Sequence, residues 1–523
     1  MKKPIKFSAI LIFFISGLLV TLGFTMIFAA FWFTRSFNSA VGLDSVIFTL
    51  FSDMHGVDSG LVNSYLLEGL LPTVMCSAAV ISILIALPRI LSVTKLKKYQ
   101  ISQKLHKTIA LVLAATLMLS LFVFSANHIG LFEYLAARQD STKIFDEHYV
   151  NPADVEIEFP EEKRNLIYIY LESMENTFMD EENGGAISEN LIPELTELAK
   201  NNLNFSQSEG IGGAQTTTGS TWTIAAMVTQ TSGVPLCLPD DIWENGLNYY
   251  SQVLPGLNTL TNILQENGYY QTLMVGSDAS FGGRREFFSQ HGIDKIYDLF
   301  TAREELLPEQ DYYDDFWGYE DFFLFRYAQQ KLTEISKQEK PFAFTMLTVD
   351  THHPEGHPCQ YCKLRSTEGL SEEEAKQLQF EDVLSCSSRQ VSRFVQWIQE
   401  QDFYENTTVI ITGDHYSMNN DYFNAKVPEE YVRRVYNCFL NTPISPKQEK
   451  NREFTTLDML PTTLASMGCK IEGDRLGLGT NLFSDQKTLC ELISFEYLKT
   501  ELNKVSPFYE KTFLYGTRKT KGS

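Results

Sequence analysis

Long stretches without charged side chains in the first 127 residues constrain the fold more than any other feature of the sequence. The longest, Phe7–Thr34, has 28 residues. A helix needs about 20 apolar residues to cross a bilayer, whereas the apolar core of a cleaved signal peptide has roughly 7–15. Two more uncharged runs follow at Gly69–Pro88 and Thr108–Asn127. We therefore predict a membrane anchor over residues 1–127, with a cleaved leader as the alternative for the first run. The three predicted transmembrane helices cover about residues 8–33, 69–88 and 108–127.

Charge is distributed unevenly along the chain and separates a membrane part from a soluble part. The chain has 523 residues, which is too long for one compact core, and a net charge of −22. Up to Asn127 the net charge is +6, and the remainder carries −28. Phosphate contacts need a basic surface, so an acidic soluble domain argues against nucleic acid as a partner.

The basic residues of the anchor predict its orientation. Lysines cluster before the first run, at Lys2, Lys3 and Lys6, and the loop of residues 89–107 is also basic. The loop of residues 44–68 is acidic instead. Because basic loops stay on the cytoplasmic side, we expect both basic segments in the cytoplasm and everything after the third helix outside it.

Three of the eight cysteines, Cys359, Cys362 and Cys386, cluster around one loop of this soluble part. In an oxidising compartment that pattern predicts a disulfide that closes the loop, with Cys386 as one partner. The alternative is a Cys-x-x-Cys metal or redox motif, although the sequence has no second such motif to complete a zinc site.

The soluble part alternates short apolar segments with amphipathic ones, which predicts an α/β domain with a mostly parallel sheet. Four segments rich in β-formers each finish in an acidic residue: Asn165–Glu172, Tyr270–Asp278, Phe342–Asp350 and Thr407–Asp414. Ligands of such sheets bind beyond the carboxyl ends of the strands, so these ends predict a site. We divide this part into a connector (128–160), the α/β domain (161–500) and a C-terminal tail (501–523).

Several side chains near these ends could perform chemistry, although each could also be a helix cap or a loop residue. Glu172, Asp414 and His415 offer ligands for a divalent cation. Ser220 and Thr221 lie where a Gly-rich turn enters an apolar helix, and the helix N-terminus would stabilise an anionic group. The remaining candidates are Arg284, in a glycine-opened loop, and the adjacent His352 and His353. A bound cation would lower the pKa of the hydroxyl, which would attack a phosphorus atom and form a covalent phospho-ester.

The order of these motifs resembles that of the membrane-anchored transferases of the alkaline phosphatase superfamily, which have the sulfatase fold. This family includes lipoteichoic acid synthases, lipid A phosphoethanolamine transferases and, most similar here, the osmoregulated-glucan phosphoglycerol transferases. The resemblance extends from about Asn165 to about Asn481. The matching segments are Leu171–Ser173, Gly219–Val228, Ser232–Leu236, Leu347–Pro354, Asp414–His415, Met418–Asn420 and Leu457–Thr462.

The resemblance implies a role for each candidate. Glu172, Asp414 and His415 match the metal ligands, with Mn²⁺ as the expected ion and Zn²⁺ or Mg²⁺ as alternatives. His352 and Arg284 match substrate-binding residues, and we include His353 beside them. The family's nucleophile, also a metal ligand, is a threonine. Gap-free counting from Gly233 gives Ser220, whereas Thr221 has the expected residue type, so both are candidates and we prefer Thr221.

The implied protein is a multi-pass enzyme of the bacterial inner membrane whose catalytic domain faces outwards. It would transfer phosphoglycerol from phosphatidylglycerol to a glycan or lipid-linked acceptor through a phospho-Ser/Thr intermediate. The nearest alternative uses phosphatidylethanolamine as donor and transfers phosphoethanolamine to lipid A or a glycan. A sulfuric ester hydrolase and a catalytically inactive membrane sensor are more distant alternatives. Ser220 lacks the proline and arginine that accompany formylglycine formation in sulfatases.

Overall fold

The computed structural model describes residues 7–37, 43–51, 59–93, 103–237, 247, 251–306 and 318–520. Several residues on which the predicted orientation depends lie outside these ranges, namely Lys2, Lys3, Lys6, Asp53, Asp58, Lys95, Lys97 and Lys98. The chain divides into two compact units, one with residues 1–37 and 58–136, the other with residues 38–57 and 137–523.

Helices and strands follow one another along both units. The α-helices are α1 Phe7–Ser36, α2 Leu43–Phe51, α3 Ser59–Tyr65, α4 Leu71–Val93, α5 Gln103–His128, α6 Leu131–Ala137, α7 Ile144–His148, α8 Pro193–Asn201, α9 Thr223–Ser232, α10 Leu260–Glu266, α11 Arg284–Gln290, α12 Leu299–Glu305, α13 Asp321–Ile335, α14 Glu372–Gln399, α15 Asn420–Lys426, α16 Met459–Ser466, α17 Leu489–Ile493, α18 Phe495–Leu502 and α19 Pro507–Tyr509. The strands are β1 Ile157–Glu158, β2 Asn165–Leu171, β3 Tyr270–Val275, β4 Lys295–Tyr297, β5 Phe342–Leu347, β6 Thr407–Gly413, β7 Asn437–Leu440, β8 Lys470–Ile471, β9 Arg475–Leu476 and β10 Gly479–Thr480.

The first unit consists of apolar helices. Among the described residues, three helical segments are long and apolar enough to cross a membrane: Leu11–Ser36, Val62–Ala86 and Leu105–His128. They pack on one another through small and branched side chains, with Val20, Leu84 and Ala110 buried between them. Most of the remaining large apolar side chains of these helices are exposed, as expected for surfaces that contact lipid.

A six-stranded sheet forms the core of the second unit, and it confirms the predicted fold class. Its strand order is β4-β3-β5-β2-β6-β7. All neighbours in it are parallel except β6 and β7, which pair antiparallel at one edge. The four apolar segments predicted as strands are the four central strands of this sheet. Because these central strands run in the same direction, the acidic residues that follow them all lie at the carboxyl ends of the strands, on the same side of the sheet.

Two further features of the second unit concern predictions made from the sequence. A disulfide joins Cys362 to Cys386, which confirms the predicted closure of that loop. In the predicted C-terminal tail, of which residues 501–520 are described, the Tyr509 and Phe513 side chains are buried. Both rings lie edge-on against Phe145 of α7, so this segment packs on the connector that precedes the sheet.

Candidate active site

The register of the two central strands brings Glu172 and Asp414 together. Leu171 of β2 pairs with Gly413 of β6, and the acidic residue follows each of them directly. The Asp414 N–H donates to the Leu171 carbonyl oxygen at 3.2 Å. In return Asp414 Oδ1 accepts from the Ser173 N–H at 2.8 Å. Both carboxylates are completely buried, so the sheet itself fixes them at its carboxyl edge.

His415 completes a cluster with these two carboxylates. Its Nε2 lies 3.4 Å from Asp414 Oδ2 and 3.6 Å from Glu172 Oε1. The other ring nitrogen, Nδ1, lies 2.8 Å from the Tyr416 carbonyl oxygen. Because a carbonyl oxygen can only accept, Nδ1 carries a proton and the lone pair of a neutral ring lies on Nε2, towards the carboxylates. The three predicted metal ligands therefore point at one another.

The electrostatics of the cluster show a deficit of positive charge. Burial, with the charge of Asp414 as a further cause, raises the pKa of Glu172 to about 8. Burial also raises the pKa of Asp414. Burial alone would lower the pKa of His415, but the charges of Asp414 and Glu172 raise it above its ordinary value. Two carboxylates in a dry site ionise together only beside a cation, which a bound metal ion would supply.

The donor set fits a divalent cation. One ligand atom each from Glu172, Asp414 and His415 lies within 4.8 Å of the others. Asp414 Oδ2 is buried and accepts no hydrogen bond from any described residue, so it has a lone pair for a metal. Two carboxylate oxygens and one imidazole nitrogen are ligands that Mn²⁺ and Zn²⁺ both accept, whereas Mg²⁺ prefers oxygen ligands alone.

A threonine hydroxyl at the start of α9 faces this cluster. Thr223 Oγ1 lies 3.3 Å from His415 Nε2 and 3.5 Å from Glu172 Oε2. Thr223 is half-buried, whereas the rest of α9 is buried against the sheet. Gln230, two turns further along α9, donates to the carbonyl oxygens of Gly413 and Asp414 at 3.1 and 3.2 Å. This amide fixes the helix to the end of β6 and so places Thr223 beside the cluster of Glu172, Asp414 and His415.

The hydroxyls predicted as nucleophile have other environments. Ser220 Oγ donates to the Thr217 carbonyl oxygen and accepts from the Thr217 N–H, both at 2.7 Å. Thr221 Oγ1 is buried and has no hydrogen-bond partner within the described part of the chain. The hydroxyl that contacts the cluster is therefore Thr223, and not Ser220 or the predicted ligand Thr221. Helix α9 begins at Thr223, which is three residues after Ser220, the position that gap-free counting gives, and two residues after Thr221.

Arg284 lies next to the cluster at the start of α11. It is 1% exposed, and its Nη2 donates to Ser277 Oγ at 2.8 Å and to the Asp278 carbonyl oxygen at 2.7 Å. Burial lowers the pKa of Arg284 to about 10, and the charge of Glu172 opposes this shift. The two groups are therefore close enough to interact, which brings a guanidinium to the same site.

The two histidines after β5 lie close enough to His415 to interact with it electrostatically. Their rings stack with centroids 4.8 Å apart, and His352 is half-buried while His353 is buried. Burial lowers the pKa of His353 to about 4 and that of His352 well below its ordinary value, and the charge of His415 adds to both shifts. Both rings are therefore neutral near pH 7. His352 Nδ1 lies 2.9 Å from the His353 carbonyl oxygen, which assigns the ring proton to Nδ1 and the lone pair to Nε2.

Comparisons with known proteins identify a family and several relatives that are similar to this chain. Residues 164–469, more than half of the chain, match the family model described as Sulfatase. A phosphoglycerol transferase I from Xanthomonas euvesicatoria is 31% identical over 303 residues, which cover 58% of this chain and 40% of that protein. A protein of the same name from Escherichia coli is 30% identical over 352 residues, which cover 66% of this chain and 42% of that protein. The chain thus spans less than half the length of these curated relatives.

One solved structure resembles most of the chain. The integral membrane lipooligosaccharide phosphoethanolamine transferase A of Neisseria meningitidis superposes with a TM-score of 0.50. The match covers 87% of this chain and 84% of that one, at 13% sequence identity. At that identity the likeness concerns the fold alone.

Proposed function

This chain belongs to the sulfatase family, and from that premise we propose that it is a membrane-anchored phosphoglycerol transferase. The donor would be phosphatidylglycerol, and the acceptor a hydroxyl of a glycan or a lipid-linked glycan outside the cytoplasm. Support comes from the two relatives described above, which carry the name phosphoglycerol transferase I. The observation that carries the proposal is the contact between Thr223 Oγ1 and the Glu172–His415 pair.

Thr223 is the nucleophile in this proposal. Attack of Oγ1 on the donor phosphorus forms a phosphodiester that joins Thr223 to phosphoglycerol, and it breaks the bond to the diacylglycerol oxygen, which takes up a proton and leaves as diacylglycerol. Glu172 Oε2, at 3.5 Å, is positioned to accept the hydroxyl proton, whereas the lone pair of His415 Nε2, at 3.3 Å, would serve the metal ion. The N-terminal N–H groups of the ten-residue helix α9 favour the negative charge that the phosphoryl group carries. Attack by the acceptor hydroxyl then releases Thr223 for the next cycle.

Glu172, Asp414 and His415 would hold the metal ion, with Thr223 beside it. When bound, such an ion stabilises a hydroxyl in its deprotonated form and polarises the P–O bonds of the donor. We propose Mn²⁺, because two oxygen donors and one nitrogen donor suit an ion between the hard and borderline classes. Zn²⁺ and Mg²⁺ are the alternatives.

Arg284 and His352 would bind the donor head group. The guanidinium of Arg284 suits a non-bridging phosphate oxygen, and its buried position lowers the competition from water. The lone pair on His352 Nε2 suits a hydroxyl hydrogen of glycerol, because the Nδ1 proton already points to the His353 carbonyl oxygen. His353 is buried behind it and would support His352 through the stacked rings.

The membrane helices would keep the domain beside its lipid donor. Tethering raises the effective concentration of an enzyme near a substrate in the same bilayer. The distribution of Lys and Arg in the anchor supports a catalytic unit outside the cytoplasm. A cysteine introduced at the exposed Lys470 would test this placement. A membrane-impermeant maleimide should label it in intact cells, and labelling only after lysis would contradict the orientation.

Assays with defined lipids would test the donor. The full chain, purified in detergent with Mn²⁺, should release diacylglycerol from labelled phosphatidylglycerol and transfer the label to an added glycan. Phosphatidylethanolamine of the same acyl composition is the matched control and should give little release. Release from phosphatidylethanolamine alone would favour the phosphoethanolamine alternative, and release of sulfate from a sulfate ester would favour a hydrolase.

A further inference from the structure

The short helix α2 precedes the second apolar segment in the chain, yet it belongs to the same compact unit as the sheet. Residues 38–57 group with residues 137–523. Within α2, Asp44 and Phe48 are buried, at 9% and 3% exposure. A segment from the N-terminal part of the chain therefore packs into the unit that carries the candidate active site.

Asp44 contacts the turn that leads to the proposed nucleophile. Its Oδ2 accepts a hydrogen bond from the Gly219 N–H at 3.2 Å. Burial raises the pKa of Asp44, and the hydrogen bond to Gly219 opposes that shift. The carbonyl oxygen of Gly219 accepts from the Leu236 N–H at 2.8 Å, so the peptide groups on both sides of this residue are held. Gly219 has a φ of +73°, and a Cβ there would lie 2.7 Å from the Leu236 carbonyl oxygen, so the turn requires glycine at this position.

Phe48 contacts the residue directly before Thr223. Its ring lies 5.4 Å from the Trp222 ring, centroid to centroid. Phe48 also lies beside Gly282, since a Cβ at Gly282 would be 4.0 Å from Phe48 Cε1. Gly282 is two residues before Arg284, so α2 touches the loops of both the proposed nucleophile and the proposed phosphate-binding arginine.

We propose that Asp44 is a positioning residue for Thr223: its carboxylate holds the Gly219 N–H and thereby fixes the turn from which the Thr223 hydroxyl enters the metal cluster. Helix α2, with Phe48 packed on Trp222, is then a part of the active-site framework rather than a passive linker between membrane helices. The expected effect on kcat rests on the proposed function, whereas the hydrogen bond between Asp44 and Gly219 is independent of it.

The test uses the full chain in detergent with Asp44→Ala and Asp44→Asn. Loss of the acceptor in Asp44→Ala should lower kcat about 10- to 100-fold, as expected when a reacting group is misplaced. KM should stay within about twofold, because no donor contact is removed. Asp44→Asn keeps an oxygen that can accept from Gly219 and should retain most of the activity. Phe48→Ala should also lower kcat selectively, and it serves as the second variant if Asp44→Ala does not fold.

A matched control separates positioning from general stability. Asp382 of α14 is also buried, and it accepts a hydrogen bond from the backbone N–H of Arg365 at 2.7 Å. Asp382→Ala should lower the melting temperature without changing kcat per folded molecule. If Asp44→Ala behaves in the same way, the positioning role is wrong.

Hydrogen exchange gives a readout that does not depend on transfer. The Gly219 amide should exchange faster in Asp44→Ala than in the wild type and stay protected in Asp44→Asn. Unchanged protection in Asp44→Ala would overturn the proposal even in a fully active enzyme. Faster exchange in Asp44→Ala than in the wild type, together with a wild type that transfers nothing, would instead support the contact and contradict the proposed function.

Discussion

Oγ1 of Thr223 lies 3.3 Å from Nε2 of His415, at the edge where the central strands of the sheet end. The contact joins the first turn of a buried helix to a residue almost 200 positions later in the chain. The contact depends on three independent elements: the parallel pairing of β2 with β6, the amide of Gln230, and the turn at Gly219. The central claim is that this hydroxyl carries the transferred group.

We expect Thr223→Ala to abolish diacylglycerol release while the protein stays folded and inserted. The side chain is half-buried and small, so its loss removes a nucleophile and little packing. Thr223→Ser should retain part of the activity, because the hydroxyl remains. Ser220→Ala and Thr221→Ala are the matched controls, and each should stay within about tenfold of the wild type. Full activity in Thr223→Ala would exclude this nucleophile.

Replacing one of the proposed metal ligands should lower the metal content before it alters the fold. Glu172→Gln and Asp414→Asn each replace a buried carboxylate with a weaker ligand, so the metal content per chain should fall well below that of the wild type. Elemental analysis of the purified full chain measures this directly. Glu453→Gln, in a half-exposed ion pair with Arg434, is the control and should leave the metal content unchanged. Stoichiometric metal in Glu172→Gln would contradict the site.

Arg284→Lys should weaken donor binding, although lysine keeps the positive charge of arginine. Lysine cannot reproduce the planar set of donors that a phosphodiester and the Asp278 carbonyl oxygen share. We expect kcat/KM to fall about 100-fold, which equals roughly 3 kcal/mol of lost transition-state stabilisation. Arg285→Lys is the control, because the neighbouring side chain pairs with Asp298 and should still do so as lysine. Equal kcat/KM values for the two variants would argue against a donor-binding role.

The sequence predicts the sheet and the proximity of Glu172 and Asp414 more directly than it predicts which hydroxyl lies beside them. The strands are visible as short apolar runs, and their parallel order brings Glu172 and Asp414 together without further information. The nucleophile depends on where α9 begins. The apolar run starts at Ile224, which indicates that the helix begins at Thr223. Two other hydroxyl residues, Ser220 and Thr221, come just before it, and the short motif does not show which of the three is the nucleophile.

Long-range contacts are the part that sequence patterns do not reveal. Asp44 lies in an acidic loop that looks like an ordinary connection between membrane helices, yet it bonds to Gly219. The Gln230 amide looks like one polar residue in an apolar helix, yet it binds the end of β6. In each case a polar side chain satisfies a backbone group that is distant in sequence, and periodicity carries no information on such pairs.

Stability should depend on pH through His291, which lies outside the candidate site. Its ring nitrogens lie 3.0 Å from Asn262 Oδ1 and 2.9 Å from the Val253 carbonyl oxygen, and burial lowers its pKa to about 4. An unfolded histidine titrates near 6.5, so protons favour the unfolded chain and stability falls as the pH drops from about 6.5 towards 4.

This shift corresponds to about 2 kcal/mol between pH 7 and pH 5. Melting temperatures of the wild type and of His291→Gln at both pH values would measure the effect. Between pH 7 and pH 5 the melting temperature of the wild type should fall further than that of the variant. The other histidines titrate equally in the two proteins, so the difference reports His291 alone. A parallel decline in both proteins would show that His291 does not contribute.

Mass spectrometry of a trapped intermediate tests the central claim most directly. The full chain with Mn²⁺ is incubated with phosphatidylglycerol in the absence of an acceptor, quenched in acid and digested. We predict a phosphoglycerol adduct on the peptide that contains Thr223, with fragment ions that place it on this residue, and no adduct in Thr223→Ala. An adduct on Ser220, Thr221 or any other residue, or complete transfer without an adduct, would contradict the account.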